Sequence, residues 1–148
     1  MAIEIERKFL VKGEFRHLSV KELNITQAYL SVDPSKIIRL RIYNGRAILA
    51  IKSNKNKTFT TRNEWEIEIP VSTASEILEV CLPGRIEKAR YLVPYRNHTW
   101  EVDVFHGKNE GLILAEIELN SENEPYEKPD WVGEEVTGNP AYYNSNLI

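Results

Sequence analysis

At 148 residues, with 42% hydrophobic and 28% charged side chains, the sequence is too apolar for a disordered chain and suits one compact core. Its 22 acidic and 19 basic side chains leave a net charge of −3, which excludes a general attraction to nucleic acid or to an anionic membrane. The lone Cys81 excludes an internal disulfide and a cysteine metal cluster, and no signal-peptide core or bilayer-length apolar run occurs. One domain over 1–148, in the cytoplasm, is the expectation.

Ile3 to Val11 alternates as a β-strand, with Glu4, Glu6 and Lys8 on one face and Ile3, Ile5, Phe9 and Val11 on the other. Lys12 to Thr26 mixes polar and apolar residues around Gly13 and reads as loop with at most a short helix. Ile25 to Val32 is strand-like, Gln27 and Tyr29 sharing a face, and Asp33-Pro34-Ser35 supplies a turn. Lys36 to Tyr43 places Arg39 and Arg41 opposite Ile38, Leu40 and Ile42, and Asn44-Gly45 predicts a hairpin into Arg46 to Ser53, which carries Lys52.

The lysine-rich stretch from Ser53 to Thr61, with Asn54, Lys55, Asn56 and Lys57, offers nothing to a core and reads as a mobile loop able to cover an opening. Arg62 to Ile69 sets Arg62, Glu64, Glu66 and Glu68 against Trp65, Ile67 and Ile69, until Pro70 ends it. Ser72 to Cys81 has helical spacing behind a Ser/Thr start; Ala74, Ile77, Leu78 and Cys81 form an apolar stripe, and Pro83-Gly84 stops it. This helix is expected on the outside of the sheet.

Strands resume with Lys88 and Arg90 in phase over Arg85 to Val93, then a turn around Arg96-Asn97-His98, then Glu101 and Asp103 in phase over Thr99 to Phe105. After a loop at Gly107 to Gly111, Leu112 to Leu119 presents Glu116 and Glu118 opposite Ile113, Ala115, Ile117 and Leu119. The acidic tail is expected to pack through Trp131, Val132 and Val136, with Tyr142 and Tyr143 in a final short helix or coil.

Two readings of the charged faces compete: one solvated side of an antiparallel sheet, or a barrel whose lumen holds the charges. Both signs recur in phase, and the opposite faces are too apolar to be left wet, which favours the barrel. A charged lumen is costly unless its charges are paired, hydrated or engaged by ligand. Lys8, Arg39, Arg41, Lys52, Arg62, Lys88 and Arg90 suit phosphate oxygens. The two Glu-x-Glu pairs, Glu4 with Glu6 and Glu116 with Glu118, suit a hard divalent cation such as Mg2+ or Mn2+, with Glu64, Glu66 and Asp103 as further acids.

Glu4-Ile5-Glu6-Arg7-Lys8 resembles the ExExK signature of the CYTH superfamily, the triphosphate tunnel metalloenzymes. The resemblance continues through Gln27-Ala28-Tyr29-Leu30, Arg39-x-Arg41, Lys52, Arg62-Asn63-Glu64-Trp65-Glu66 and Glu87-Lys88-Ala89-Arg90-Tyr91. It extends on to Trp100-Glu101-Val102-Asp103-Val104-Phe105, Ala115-Glu116-Ile117-Glu118-Leu119 and Trp131-Val132-Gly133-Glu134-Glu135-Val136. It implies a mainly β fold with peripheral helices, an eight-stranded antiparallel β-barrel tunnel with a charged lumen. By the same resemblance the basic residues hold triphosphate, Glu4, Glu6, Glu116 and Glu118 organise the metal, and Tyr29 beside Lys88 accepts a proton from water. A Tyr29 that only lines the lumen, and a glutamate that holds the water, are equally open.

The function so implied is metal-dependent hydrolysis of inorganic tripolyphosphate to pyrophosphate and orthophosphate. Its partner is a small triphosphate-bearing molecule, without nucleic acid or membrane; the oligomeric state stays open, a homodimer included. Adenylate cyclase and thiamine or nucleoside triphosphatase are alternatives, but no aromatic or amide cluster marks a base pocket, and parity turns Trp65 and Trp100 outward. A non-catalytic polyphosphate-binding module is a further alternative, against which the intact acidic pairs argue.

Overall fold

The computed structural model describes residues 2–54 and 60–148, so Lys55, Asn56 and Lys57 of the expected loop lie outside the described residues. Strands β1 (Ala2–Val11), β2 (Lys21–Ser31), β3 (Ile37–Tyr43), β4 (Arg46–Ser53), β5 (Thr61–Ile69), β6 (Ile86–Tyr95), β7 (His98–Phe105), β8 (Ile113–Glu118) and β9 (Val132–Glu135) form one antiparallel sheet. Its order is β5-β4-β3-β2-β6-β7-β8-β1-β9. A further pairing of β1 with β5, through Ile3↔Asn63 and Glu4↔Arg62, closes β1 to β8 into a barrel, as expected. Closure removes the free edges an open sheet of this size would present. Strand β1 makes this possible by dividing its length, pairing β5 at its start, β8 from Glu6 to Leu10 and β9 near Val11.

Local chemistry sets the connections. Asn44 and Gly45 hold φ of 50° and 69°, the left-handed pair that a two-residue hairpin turn demands between β3 and β4. Strand β2 starts at Lys21 rather than near Ile25, because the backbone of Lys21 to Asn24 pairs with β6 although its own alternation is weak. The helix α1 spans Val71–Leu78, not Ser72–Cys81; Pro70 occupies the cap position, and no Ser or Thr side chain caps it. Proline's fixed φ suits the entry to a helix, and the Pro70 carbonyl accepts the first helical bond from the Ala74 N–H. Strand β9 was not expected in the tail, where Trp131 and Val132 are buried against β1.

Apolar side chains pack mainly outside the barrel. Phe9, Phe15, Trp100 and Trp131 form one cluster, with the Phe9 and Trp100 rings 5.4 Å apart and the Trp100 and Trp131 rings 6.0 Å apart. Helix α1 covers a second, buried over Leu40 and Ala47 by Ala74. A third lies at one end of the lumen, where Tyr142, Leu147 and Ile148 of the C-terminal segment pack on Tyr29, Ile37, Ile86, Phe105 and Leu114. Among the described residues no helix is long and apolar enough to cross a membrane.

Candidate active site

Because side chains alternate along a strand, closing the barrel brings the charged face of every strand to one axis. The registers fix who meets whom: Glu4 is opposite Arg62, Glu6 opposite Glu118, Lys8 opposite Glu116, Arg90 opposite Asp103, Tyr29 opposite Arg39, and Lys52 opposite Glu64. Together with Arg41, Glu66 and Lys88, these residues line a cavity of about 380 Å3, except Asp103, which lies behind Lys88 and Arg90. Every site residue singled out from the sequence therefore reaches the lumen or its immediate wall. The solvated-face reading fails for most of them, although Glu66 and Glu118 stay exposed at the cavity's rim.

Two groups of lumen charges neutralise themselves. Asp103 receives Lys88 Nζ at 2.7 Å and Arg90 Nε and Nη2 at 2.8 and 3.0 Å, while Arg90 also reaches Glu101 at 3.2 Å. Burial opposes the ionisation of Asp103, yet Arg90 and Lys88 hold its carboxyl well below the usual range. Burial lowers Lys88 to about 7 against the pull of Asp103. Across the lumen, Glu4 accepts from Lys52 Nζ at 2.9 Å and Arg62 Nη2 at 2.8 Å, and Lys52 also meets Glu64 at 3.3 Å. Burial again opposes ionisation there, but the two cations keep Glu4 far below an ordinary glutamate.

Elsewhere the signs do not balance. Arg39 is buried, its Nε has no hydrogen-bond partner, and its nearest carboxylate is that of Glu66 at 3.9 Å. Among the described residues Arg41 is held only by the Gln27 amide oxygen at 3.4 Å; burial first, then Arg39 and Arg90, bring it down to about 10. On the opposing wall, burial and then the charges of Glu116 and Glu4 lift Glu6 to about 8. Burial, Glu4 and Glu101 raise Glu118 as well. Glu116, although burial opposes it, is kept at about 2, chiefly by Lys8 at 3.7 Å and by Arg90, and it shares a hydrogen bond with Glu6.

This crowding tests the metal expectation. Burial first, then neighbouring carboxylates, raise Glu6 and Glu118, while Glu116 stays ionised and hydrogen-bonded to Glu6; a hard divalent cation would offset such gathered carboxylates, so their chemistry suits one. Glu4 does not join them, since Lys52 and Arg62 hold its carboxylate. Among the described residues no group of three or more His, Cys, Asp or Glu is gathered at ligating spacing. The Tyr29–Lys88 contact is also not formed: Lys88 turns to Asp103 and Asn144, while the Tyr29 hydroxyl accepts from Gln27 Nε2 at 3.1 Å. Burial raises the Tyr29 phenol despite nearby Arg39 and Arg41, which disfavours it as a proton acceptor.

The pattern of the CYTH domain matches residues 2–145. The chain belongs to the CYTH family. An inorganic triphosphatase from Acetivibrio thermocellus is 47% identical to it over 149 aligned residues, spanning 100% of this chain and 94% of that protein. An inorganic triphosphatase from Nitrosomonas europaea is 36% identical, spanning 97% and 95%. The crystal structure of the inorganic triphosphatase NE1496 superposes with a TM-score of 0.66 at 33% identity, covering 99% of this chain and 95% of that one.

The structure of this CYTH chain adds lumen residues that sequence reasoning did not assign. Gln27, fully buried, bridges Arg41 and Tyr29 and shares Tyr29's parity, which was the available signal. Glu101 shares the parity of Asp103 and reaches Arg90. Asn144 and the Tyr142 carbonyl enter from the C-terminal segment, where no alternation announces them; Lys8 Nζ donates to that carbonyl at 2.9 Å.

Proposed function

We propose that this protein hydrolyses inorganic tripolyphosphate to pyrophosphate and orthophosphate, with Mg2+ or Mn2+ as cofactor. The observation that carries the reading is the pair Arg39, buried, and Arg41, half-buried, without close carboxylate partners in the same lumen as Glu6, which burial and then Glu116 and Glu4 lift to about 8. A linear polyanion together with a divalent cation balances both walls; neither does so alone. The naming of two relatives as inorganic triphosphatases supports the same substrate.

In this reading Lys8, Arg39, Arg41, Lys52, Arg62, Lys88 and Arg90 bind phosphate oxygens, the guanidiniums by paired N–H donors and the lysines as point charges. Glu6, Glu116 and Glu118 would hold the cation, which when bound would supply charge stabilisation to the phosphoryl oxygens. Water forms a bond to the terminal phosphorus as the bond to the bridging oxygen breaks, and pyrophosphate leaves with that oxygen. Little covalent chemistry is asked of the protein; positioned cations stabilise charge on the phosphoryl and the leaving group. A phosphate beside Lys88 favours its charged form against the burial that lowers it. Tyr29 stays a phenol that orients the substrate, and the proton of water passes to a lumen carboxylate outside the cation's ligands, such as Glu64, whose proton affinity burial raises.

Incubating the protein with tripolyphosphate, ATP and thiamine triphosphate, each with Mg2+, Mn2+ or excess chelator, tests this. Release of phosphate from tripolyphosphate in preference to the others, abolished by chelator, is the expected result. Full activity in chelator, or cyclic AMP from ATP as the main product, overturns it.

A further inference from the structure

The C-terminal segment does more than cover one end of the lumen, because it carries one amide into the cluster of cations. Asn144 Oδ1 accepts from Lys88 Nζ at 3.0 Å and from Gln27 Nε2 at 3.2 Å. Lys88 can only donate, so the oxygen of the carboxamide faces it and the nitrogen points elsewhere. Gln27 in turn donates to the Tyr29 hydroxyl and accepts from Arg41. One amide oxygen thus joins the Lys88–Asp103 pair to the Arg41–Gln27–Tyr29 group.

Anchors on both sides fix this placement. Two residues earlier, the Tyr142 carbonyl accepts from Lys8; beyond it, Asn109 Nδ2 and Lys108 Nζ donate to the carbonyls of Leu147 and Ile148 at 2.7 and 2.6 Å. Gly84, at φ +92°, lies so close that an added Cβ would stand 2.8 Å from the Ile148 carbonyl carbon. Asn144 also lines the cavity, and among the described residues its amide nitrogen has no protein acceptor. Asn144 shares that cavity lining with Lys88 and Lys8, and phosphoryl oxygens, which these cations attract, are acceptors for its open donor.

We propose that Asn144 is a substrate-contacting and positioning residue, accepting from Lys88 and Gln27 on one side and donating to a phosphoryl oxygen on the other. The inference rests on the triphosphatase reading for the identity of the ligand. It makes residues 137–148 part of the wall of the phosphate site.

Asn144→Asp and Asn144→Ala separate the two sides of this role. Aspartate keeps both acceptor bonds and gains an ion pair with Lys88, but it turns the open donor into an oxygen that repels phosphate. Calorimetric titration with tripolyphosphate in the absence of divalent metal should show affinity about tenfold weaker for Asn144→Ala and about a hundredfold weaker for Asn144→Asp. The aspartate variant should nevertheless melt at or above the alanine variant, and Asn144→Ser serves as the truncation if alanine prevents folding. Binding by Asn144→Asp as tight as by the truncated variant overturns the contact and leaves a purely internal anchor. A wild-type protein that binds no tripolyphosphate overturns the triphosphatase reading instead; one that binds it while the variants rank in the opposite order overturns only the role of Asn144.

Discussion

The lumen holds two kinds of buried cation, and the contrast between them separates what builds the barrel from what serves it. Lys88 and Arg90 share Asp103, whose two oxygens are satisfied by both partners. Arg39 and Arg41, equally enclosed by strands, have a distant carboxylate, an amide oxygen and an orphaned Nε between them. A paired buried charge loses its compensation when its partner is removed, whereas an unpaired one already carries the cost of desolvation. The first kind is tied to stability as well as to the ligand, the second to the ligand alone.

The sharpest way to break this contrast is Asp103→Ala, which strands two buried cations. A loss of about 3–5 kcal/mol in unfolding free energy is expected, read from denaturant titration. Next, Arg41→Ala should leave stability nearly unchanged or improved, while affinity for metal-free tripolyphosphate falls by about 1.5–3 kcal/mol, or roughly 10–100-fold. If both variants lose stability alike, the distinction between the two kinds of cation is wrong.

The acidic wall offers a subtler test through Glu6→Gln. With its pKa raised to about 8 from 4.5, Glu6 contributes to stability fully below about 4.5 and loses that contribution as pH rises through about 8. The melting temperature of the metal-free protein should therefore fall, relative to Glu6→Gln, between pH 6 and pH 8.5. Taking the difference between the two proteins cancels Lys88, which is depressed to about 7 and moves stability in the opposite sense. Divalent metal should narrow the gap at pH 8.5, and the variant should need more metal for turnover. The smallest effect belongs to Tyr29→Phe: a phenol that only orients substrate costs less than about tenfold in kcat, whereas loss of a general base costs about 10²–10⁴-fold.

Strand parity made the lumen legible before any coordinates, because Glu4, Glu6 and Lys8 must leave one face of a strand whatever its neighbours. The Asn44-Gly45 hairpin was legible for the same local reason. Which charge neutralises which was not. That Glu4 meets Lys52 and Arg62 instead of Glu6's metal wall depends on the register closing β1 onto β5, set by residues some sixty positions apart. Asn144 and β9 were hidden too, since their placement is dictated by packing on β1, β2 and β6 and not by any period of their own. Lys21 to Asn24 joined a strand through backbone bonds to β6, which side-chain pattern does not record.

Strand β1 has a consequence for how the protein comes into being. It is the stave to which β5, β8 and β9 all attach, yet two of those partners lie more than a hundred residues further along the chain. During synthesis β1 emerges well before β8 and β9, and its row of backbone donors and acceptors waits unsatisfied while they are made. Such long-range pairing slows folding and exposes strand edges to wrong partners. The alternating charges of Glu4, Glu6 and Lys8, which later face the lumen, meanwhile keep that waiting strand soluble.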